Sequence, residues 1–308
     1  MLTHLFRILN YGTSYAIATG FFPKEMAKKV LLLYSFVRIP DNIVDSPSLS
    51  GEGLGGGQHY VDSKTKLLAL RDERTQAYTN NDRSDPIRGK YVALFQDNDI
   101  PFQYSLDFYK AMIDDCTLHR YKTYEQLEGY MYGSASVVGL MMCHIIGFTD
   151  PKHEKKAKIY ATELGNAMQL TNFLRDVRED YEQLGRIYIP SEILKKYGLS
   201  HNDIPRFIHE TQSADIMDEI KKTSRTMAMK EMIAHCRTMY AHSLDGVQYL
   251  QPEGRKAVRL AALLYESILD KIEHNNYDVF TKSCRTTLRD KLRTLYRYKK
   301  NSGNDDIH

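Results

Sequence analysis

Apolar positions recur at helical spacing along most of this chain, and runs of strict alternation are scarce. After Pro23, a good first-turn residue, Lys24–Val37 carries an apolar series through Ala27, Val30, Leu31 and Tyr34. Pro40 lacks an N–H and crowds the carbonyl four residues back, which predicts an interruption and a kink just before Asp41. Further helices are expected over Lys64–Tyr78, Ile87–Phe95, Pro101–His119, Tyr124–Ile146, Lys152–Leu184, Ser191–Tyr197, Asp215–Leu250, Pro252–Asn275 and Ser283–Lys300. Ser46–Tyr60 reads as a glycine-rich loop, and no strand precedes it to make it a phosphate cradle. Asn301–His308 is expected to fray. The pattern predicts an all-α architecture, one helical domain over 1–308 built around a central cavity.

Composition narrows the function classes. The 308 residues are enough to bury a substantial core, and 42% hydrophobic with 26% charged residues is ordinary globular composition. A net charge of +3 gives no basic field that calls for nucleic acid. The 22 tyrosines against no tryptophan suggest a pocket lined by rings with polar handles. Cys116, Cys143, Cys236 and Cys284 are scattered and form no C-x-x-C, which points to a reducing compartment. The first residues lack a long apolar stretch of signal-peptide type, and the run Val137–Phe148 is too short to span a bilayer, so a cytoplasmic protein is expected.

The informative chemistry lies in two carboxylate clusters. In Gln169–Pro190 (QLTNFLRDVREDYEQLGRIYIP), Asp176, Glu179 and Asp180 stand at i, i+3 and i+4. On a helix that spacing stacks them on one face. Asp41 and Asp45 in RIPDNIVD form a second i, i+4 pair. Like charges a turn apart repel unless cations compensate them. Mg²⁺ favours oxygen ligands, keeps part of its water and takes a few carboxylates plus phosphate oxygens. Arg38, Arg175, Arg178 and Arg186 flank the clusters and suit phosphate charge. Two acidic helix faces with arginines beside them therefore suggest a Mg²⁺ cage for a diphosphate.

The same residues carry a family resemblance. SYAIATGFFP, YSFVRIPDNIVD, GYMYGSASVVG, QLTNFLRDVREDYEQLGRIYIP and LLYESILDKIEHNNYDVF occur in an order that resembles the squalene/phytoene synthase family, from about Gly12 to Lys291. The fourth segment, N-x-L-R-D-x-x-E-D followed by G-R-I-Y-x-P, is the specific one.

The resemblance implies an isoprenoid-synthase-type bundle. It also implies head-to-head condensation of two prenyl diphosphates through a cyclopropylcarbinyl diphosphate. Two geranylgeranyl diphosphates would give phytoene; the alternative is two farnesyl diphosphates giving squalene or dehydrosqualene. By the same resemblance, Asp41, Asp45, Asp176 and Asp180, with Asn172, would bind Mg²⁺, or Mn²⁺ in its place. Arg38 and Arg285 would meet diphosphate by that resemblance, Arg175 and Arg186 by their place beside the clusters, and Ser14 would cap the site. Tyr34, Tyr130, Gln169, Tyr188 and Tyr265 would line the pocket, Tyr130, Tyr188 and Tyr265 as catalytic rings, with Ser134 and Val138 bearing on its depth.

Asn42, Pro40, Arg178 and Gly12 depart from the family pattern without removing a ligand position. No dinucleotide fingerprint supports NADPH. A silent assembly factor of the same fold would have lost the aspartates, which this chain keeps. A di-iron bundle needs Glu-x-x-His pairs, and none of the 11 histidines has one. A monomer or weak homodimer is expected. Peripheral membrane contact is suggested by the basic Arg285–Lys300 and by an insoluble product.

Overall fold

The computed structural model describes residues 14–45, 57–209 and 216–302. The glycine-rich segment up to residue 56, Gly12 and most of the tail expected to fray lie outside them. Among the described residues there is no strand, only two isolated bridges, Arg120 with Ile187 and Phe148 with Leu250.

The helices in chain order are α1 (14–19), α2 (Lys24–Asp45), α3 (Gly57–Thr79), α4 (Arg88–Gln96), α5 (Gln103–Asp114), α6 (Tyr124–Met131) and α7 (Val137–Ile146). There follow α8 (Glu154–Arg175), α9 (Val177–Leu184), α10 (Ser191–Lys196), α11 (Asp203–His209), α12 (Ile216–Ser243), α13 (Pro252–His274) and α14 (Leu288–Ser302). Helix α8 is the spine: it packs against α6, α7, α12, α13 and the 3₁₀ turn Leu244–Tyr249. Buried apolar side chains from α2 through α13 form one contiguous core around it.

Four expectations change, the first being that Gly57–Tyr60, read as the end of the glycine-rich loop, instead open helix α3. Helix α2 is not interrupted; Pro40 lies inside it and the helix continues to Asp45. The carbonyl of Phe36, which Pro40 leaves without a helical donor, accepts from Arg74 Nη1 at 2.9 Å. The stretch expected as one helix over Lys152–Leu184 divides at Asp176, whose φ of −101° and ψ of 14° leave the helical region. Tyr124–Ile146 is helical throughout, but Tyr132–Ser136 is a π-turn joining α6 to α7.

The π-turn reflects close packing. A Cβ on Gly133 would sit 2.6 Å from the Ala111 side chain, and one on Gly139 2.6 Å from the Ala161 carbonyl. At Gly165 it would lie 2.8 Å from Ser136 Cα. Small residues thus let α7 and the π-turn press directly on α5 and α8, and such turns often occur at functional sites. By length and hydropathy Tyr124–Ile146 could cross a bilayer, yet half of its apolar window is buried inside the protein. Its inner face is part of the cavity wall.

Candidate active site

Helix α8 builds one wall of a cavity of about 410 Å³. Ala157, Tyr160, Ala161, Leu164, Gly165, Met168, Gln169, Asn172, Phe173 and Asp176 line it, an unbroken i, i+3/i+4 stripe along the helix. At 1.5 Å per residue this stripe is about 28 Å long. Facing it are Tyr130, Ser134, Val138 and Met142 from α6–α7, Tyr34, Arg38 and Asp41 from α2, and Tyr265 from α13. Asp41 lies one turn before the end of α2 and Asp176 caps α8, and Tyr34 and Arg38 of α2 act on the same Tyr265 as Arg175 and Asp176, which brings the two helix ends together. Away from them the lining is mostly Val, Leu, Met, Ala and Phe.

The acidic end is charge-compensated by arginine. Arg38 Nη1 pairs with Asp41 Oδ2. Arg175 meets Asp176 through two bonds, Nε to Oδ1 at 2.8 Å and Nη2 to Oδ2 at 2.6 Å, with both side chains nearly buried. Asp180 lines the cavity one turn on, and its amide bonds the Asp176 carbonyl at 2.8 Å across the helix break. Glu179 does not join that face: it turns away and pairs with Arg285. The expected stack of three carboxylates is therefore a pair plus an outward ion pair. Arg285 lies behind the wall, as does Arg175.

Arg186 lines the cavity, and its guanidinium is engaged by Asp115, which lines it too. Nη1 pairs with Asp115 Oδ2 at 2.9 Å, and Nη2 donates to the Asp115 carbonyl at 3.1 Å. The Tyr188 hydroxyl donates to Asp115 Oδ1 at 3.4 Å. Asp115 carries no motif in the sequence: it directly follows Asp114, and adjacent acids do not share a helix face.

Tyr188 stacks on Phe173 at 3.7 Å with planes 8° apart, and Tyr130 lies parallel to both. Burial holds the Tyr130 and Tyr188 hydroxyls protonated well above the usual tyrosine range. Burial raises Tyr265 in the same way, with Arg175 and Arg38 opposing and Tyr34 and Asp176 helping. Phe173 was missed in the sequence, although it continues the Gln169–Asn172 stripe.

Ser14 is buried but absent from the lining. Tyr15, Ala18 and Thr19 line the cavity instead, at i, i+3 and i+4 of α1, and Tyr15 stacks on Tyr34 at 4.5 Å. The helical step turns Ser14 off that face. Asp45 ends α2 one turn beyond Asp41, and its side chain lies outside the described residues.

Among the described residues no three His, Cys, Asp or Glu side chains gather into a metal cluster by themselves. The donor set still suits a hard cation that takes some ligands from its substrate. Asp41, Asp176 and Asp180 offer carboxylate oxygens, and Asn172 Oδ1 is buried at the same wall with no hydrogen-bond partner.

A profile of squalene/phytoene synthases matches residues 8–291. The chain belongs to the squalene/phytoene synthase family. It is 31% identical to phytoene synthase 3 of Zea mays over 92% of its own length, and 30% identical to the phytoene synthase of Thermus thermophilus over 89%. It spans 62% of the maize protein and 84% of the Thermus one. In fold it is similar to a ligand-bound dehydrosqualene synthase, with a TM-score of 0.75 at 23% identity over 96% of this chain and 94% of that one. It is also similar to a squalene synthase from Alicyclobacillus acidocaldarius, with a TM-score of 0.59 at 20% identity over 84% and 98%. The all-α isoprenoid-synthase architecture expected from the sequence is thus the observed one.

Proposed function

We propose that this protein condenses two geranylgeranyl diphosphates head to head into phytoene. The observation that carries this reading is one corridor with two arginine-backed acidic helix ends at its mouth and about 28 Å of mostly apolar wall behind them. A C20 prenyl chain extends roughly 19 Å and a C15 chain roughly 14 Å, at about 1.25 Å of advance per carbon–carbon bond. The corridor therefore accepts the longer chain at full extension. The phytoene synthase names of the maize and Thermus relatives favour the same product.

Asp41, Asp176, Asp180 and Asn172 would hold Mg²⁺, with Mn²⁺ as a substitute, and Asp45 is proposed to join them. The metal supplies the neutralising charge that lets diphosphate leave. The protein's own residues do the rest. Arg38 and Arg175 hold the carboxylates oriented before substrate arrives. The walls from Val138 to Leu164 exclude water that would quench an allylic cation. The ring faces of Tyr130, Phe173 and Tyr188 lie beside the acidic end, where they attract developing positive charge. The donor loses diphosphate, the acceptor's double bond closes on the resulting cation, and proton loss leaves the cyclopropylcarbinyl diphosphate. Loss of the second diphosphate, rearrangement and a second proton loss give phytoene. This ending needs no reductant.

The test is incubation with geranylgeranyl or farnesyl diphosphate and Mg²⁺, with and without NADPH, followed by product identification. A C40 product is expected. A C30 product would move the reading to the farnesyl alternative, and the absence of either would end it.

An insoluble product needs a destination. On α14 the exposed face alternates apolar Leu288, Leu292 and Tyr296 with basic Arg289, Arg293 and Arg297, each set spaced four residues apart. Such a face suits an anionic bilayer surface. Flotation with phosphatidylserine vesicles should retain the protein and lose the Leu292→Ser/Tyr296→Ser variant. Equal retention of the two would remove this contact from the reading.

A further inference from the structure

Helix α2 delivers Arg38 and Asp41 to the cavity through the turn that contains Pro40. Proline at that position takes away the donor for the Phe36 carbonyl and pushes against its oxygen. Phe36 is 1% exposed, so water cannot make up the loss. Arg74, reaching across from α3, makes it up instead with Nη1 at 2.9 Å.

Arg74 is an unusual residue to find there. It is 5% exposed, and among the described residues no carboxylate forms an ion pair with it. Its guanidinium lies 4.1 Å from the Phe36 ring centre, 4.7 Å from Tyr91 and 5.7 Å from Tyr109. Those rings belong to α2, α4 and α5, so one buried cation joins four helices through ring faces and one carbonyl. Ser63, also on α3, donates to the Ile43 carbonyl at 2.9 Å, an acceptor that the end of α2 leaves open. Helix α3 thereby supplies donors to α2 on both sides of Asp41. A residue kept only for bulk would need no donor aimed at the single carbonyl that the proline frees.

We propose that Arg74 is a positioning residue for the reaction: it replaces the helical hydrogen bond that Pro40 cannot make and so fixes where Arg38 and Asp41 stand at the cavity mouth. Its catalytic consequence rests on the prenyl-transfer reading above; the hydrogen-bond replacement itself does not. Arg74 does not touch substrate. It acts through the backbone of α2.

The test is a double-mutant cycle between Arg74→Met and Pro40→Ala. Methionine keeps the packing along the rings and removes the donor. Alanine at 40 returns an N–H to the Phe36 carbonyl. Each protein is measured by urea unfolding. The kcat and KM for geranylgeranyl diphosphate and the half-saturating Mg²⁺ concentration are taken at a temperature where every variant is folded. Arg74→Met should lower kcat/KM by about tenfold and raise the Mg²⁺ requirement, the size expected for one buried acceptor left bare. The double variant should recover most of both losses. Arg74→Lys, which keeps a donor but not the planar face, should fall between. Equal losses from Arg74→Met on the proline and alanine backgrounds would overturn the proposal, as would lost stability with kcat/KM and Mg²⁺ requirement unchanged. If the unaltered protein makes no prenyl product, the activity reading fails by itself. Coupling between positions 40 and 74 in urea then decides the hydrogen-bond replacement, and additivity there overturns it.

Discussion

Arg186 offers the sharpest separation between a substrate-binding residue and a structural one. Removing it as Arg186→Met takes from the Asp115 carboxylate, 3% exposed, its buried ion-pair partner at 2.9 Å. It also strips the Asp115 carbonyl of its donor at 3.1 Å, at the C-cap of α5, where helix carbonyls lack intrahelical partners. Breaking a buried ion pair on one side costs about 3–5 kcal/mol, most of it from the charge left behind. Total domain stability is about 5–15 kcal/mol, so the variant should unfold at much lower urea. Replacing both partners, as Arg186→Met with Asp115→Leu, removes the stranded charge and should return more than half of the loss. Urea unfolding followed by circular dichroism measures all three proteins. A double variant no more stable than Arg186→Met would refute the pairing argument. So would an Arg186→Met protein of unchanged stability that had lost only affinity for diphosphate.

Asp176→Asn should lower turnover about a hundredfold or more while the far-ultraviolet spectrum stays helical, and chelation of Mg²⁺ should stop the unaltered enzyme reversibly; persistent activity in either experiment contradicts the metal assignment. Ala161 lines the corridor about 22 Å from Asp176 along α8, so a larger ring there reaches back to the end of a C20 chain of roughly 19 Å but not to a C15 chain of roughly 14 Å. Ala161→Phe should therefore favour farnesyl over geranylgeranyl diphosphate in kcat/KM, and an unchanged ratio would mean that the chain does not run along α8. All four cysteines are buried, and burial pushes the Cys143 and Cys236 thiols up to about 12 and Cys116 up to about 11. Raised values keep the thiols protonated at neutral pH, so a thiolate-seeking reagent should label the native protein slowly and the urea-unfolded protein at all four positions. Fast labelling of the native protein would contradict the burial.

Much of the architecture was legible because helical periodicity and paired acids are local signals. Tyr124–Ile146 was read to the residue, since an uninterrupted apolar period needs no tertiary information. The π-turn inside it is not legible, because it answers to Ala111 and Gly165 on other helices. Pro40 misled for a related reason: the donor that rescues the Phe36 carbonyl stands 38 residues away on α3. Helix α11 was missed because Pro205 and short polar flanks mask a seven-residue element. At the site, Asp41, Asp176 and Asp180 were found from spacing, and the cavity does bring them to one lining. Arg186 was expected at phosphate because its charge was visible and its partner, 71 residues earlier, was not.

The distribution of arginines explains how such an acidic mouth exists before any cation binds. A carboxylate as buried as Asp176, with its side chain 5% exposed, is costly unless paired and hydrogen-bonded. Arg175 meets both of its oxygens in the bidentate geometry that gives the strongest charge-assisted bonds. Arg38 does the same service for Asp41 through one bond, and Arg285 draws Glu179 out of the mouth. The acids therefore reach the cavity already held in place by arginine. On the proposed reading, metal and diphosphate would then meet α2 and α9 with their acids already oriented. An arginine-to-lysine change at Arg175 would lose the fork while keeping the charge, so it should loosen Asp176 more than net charge alone predicts.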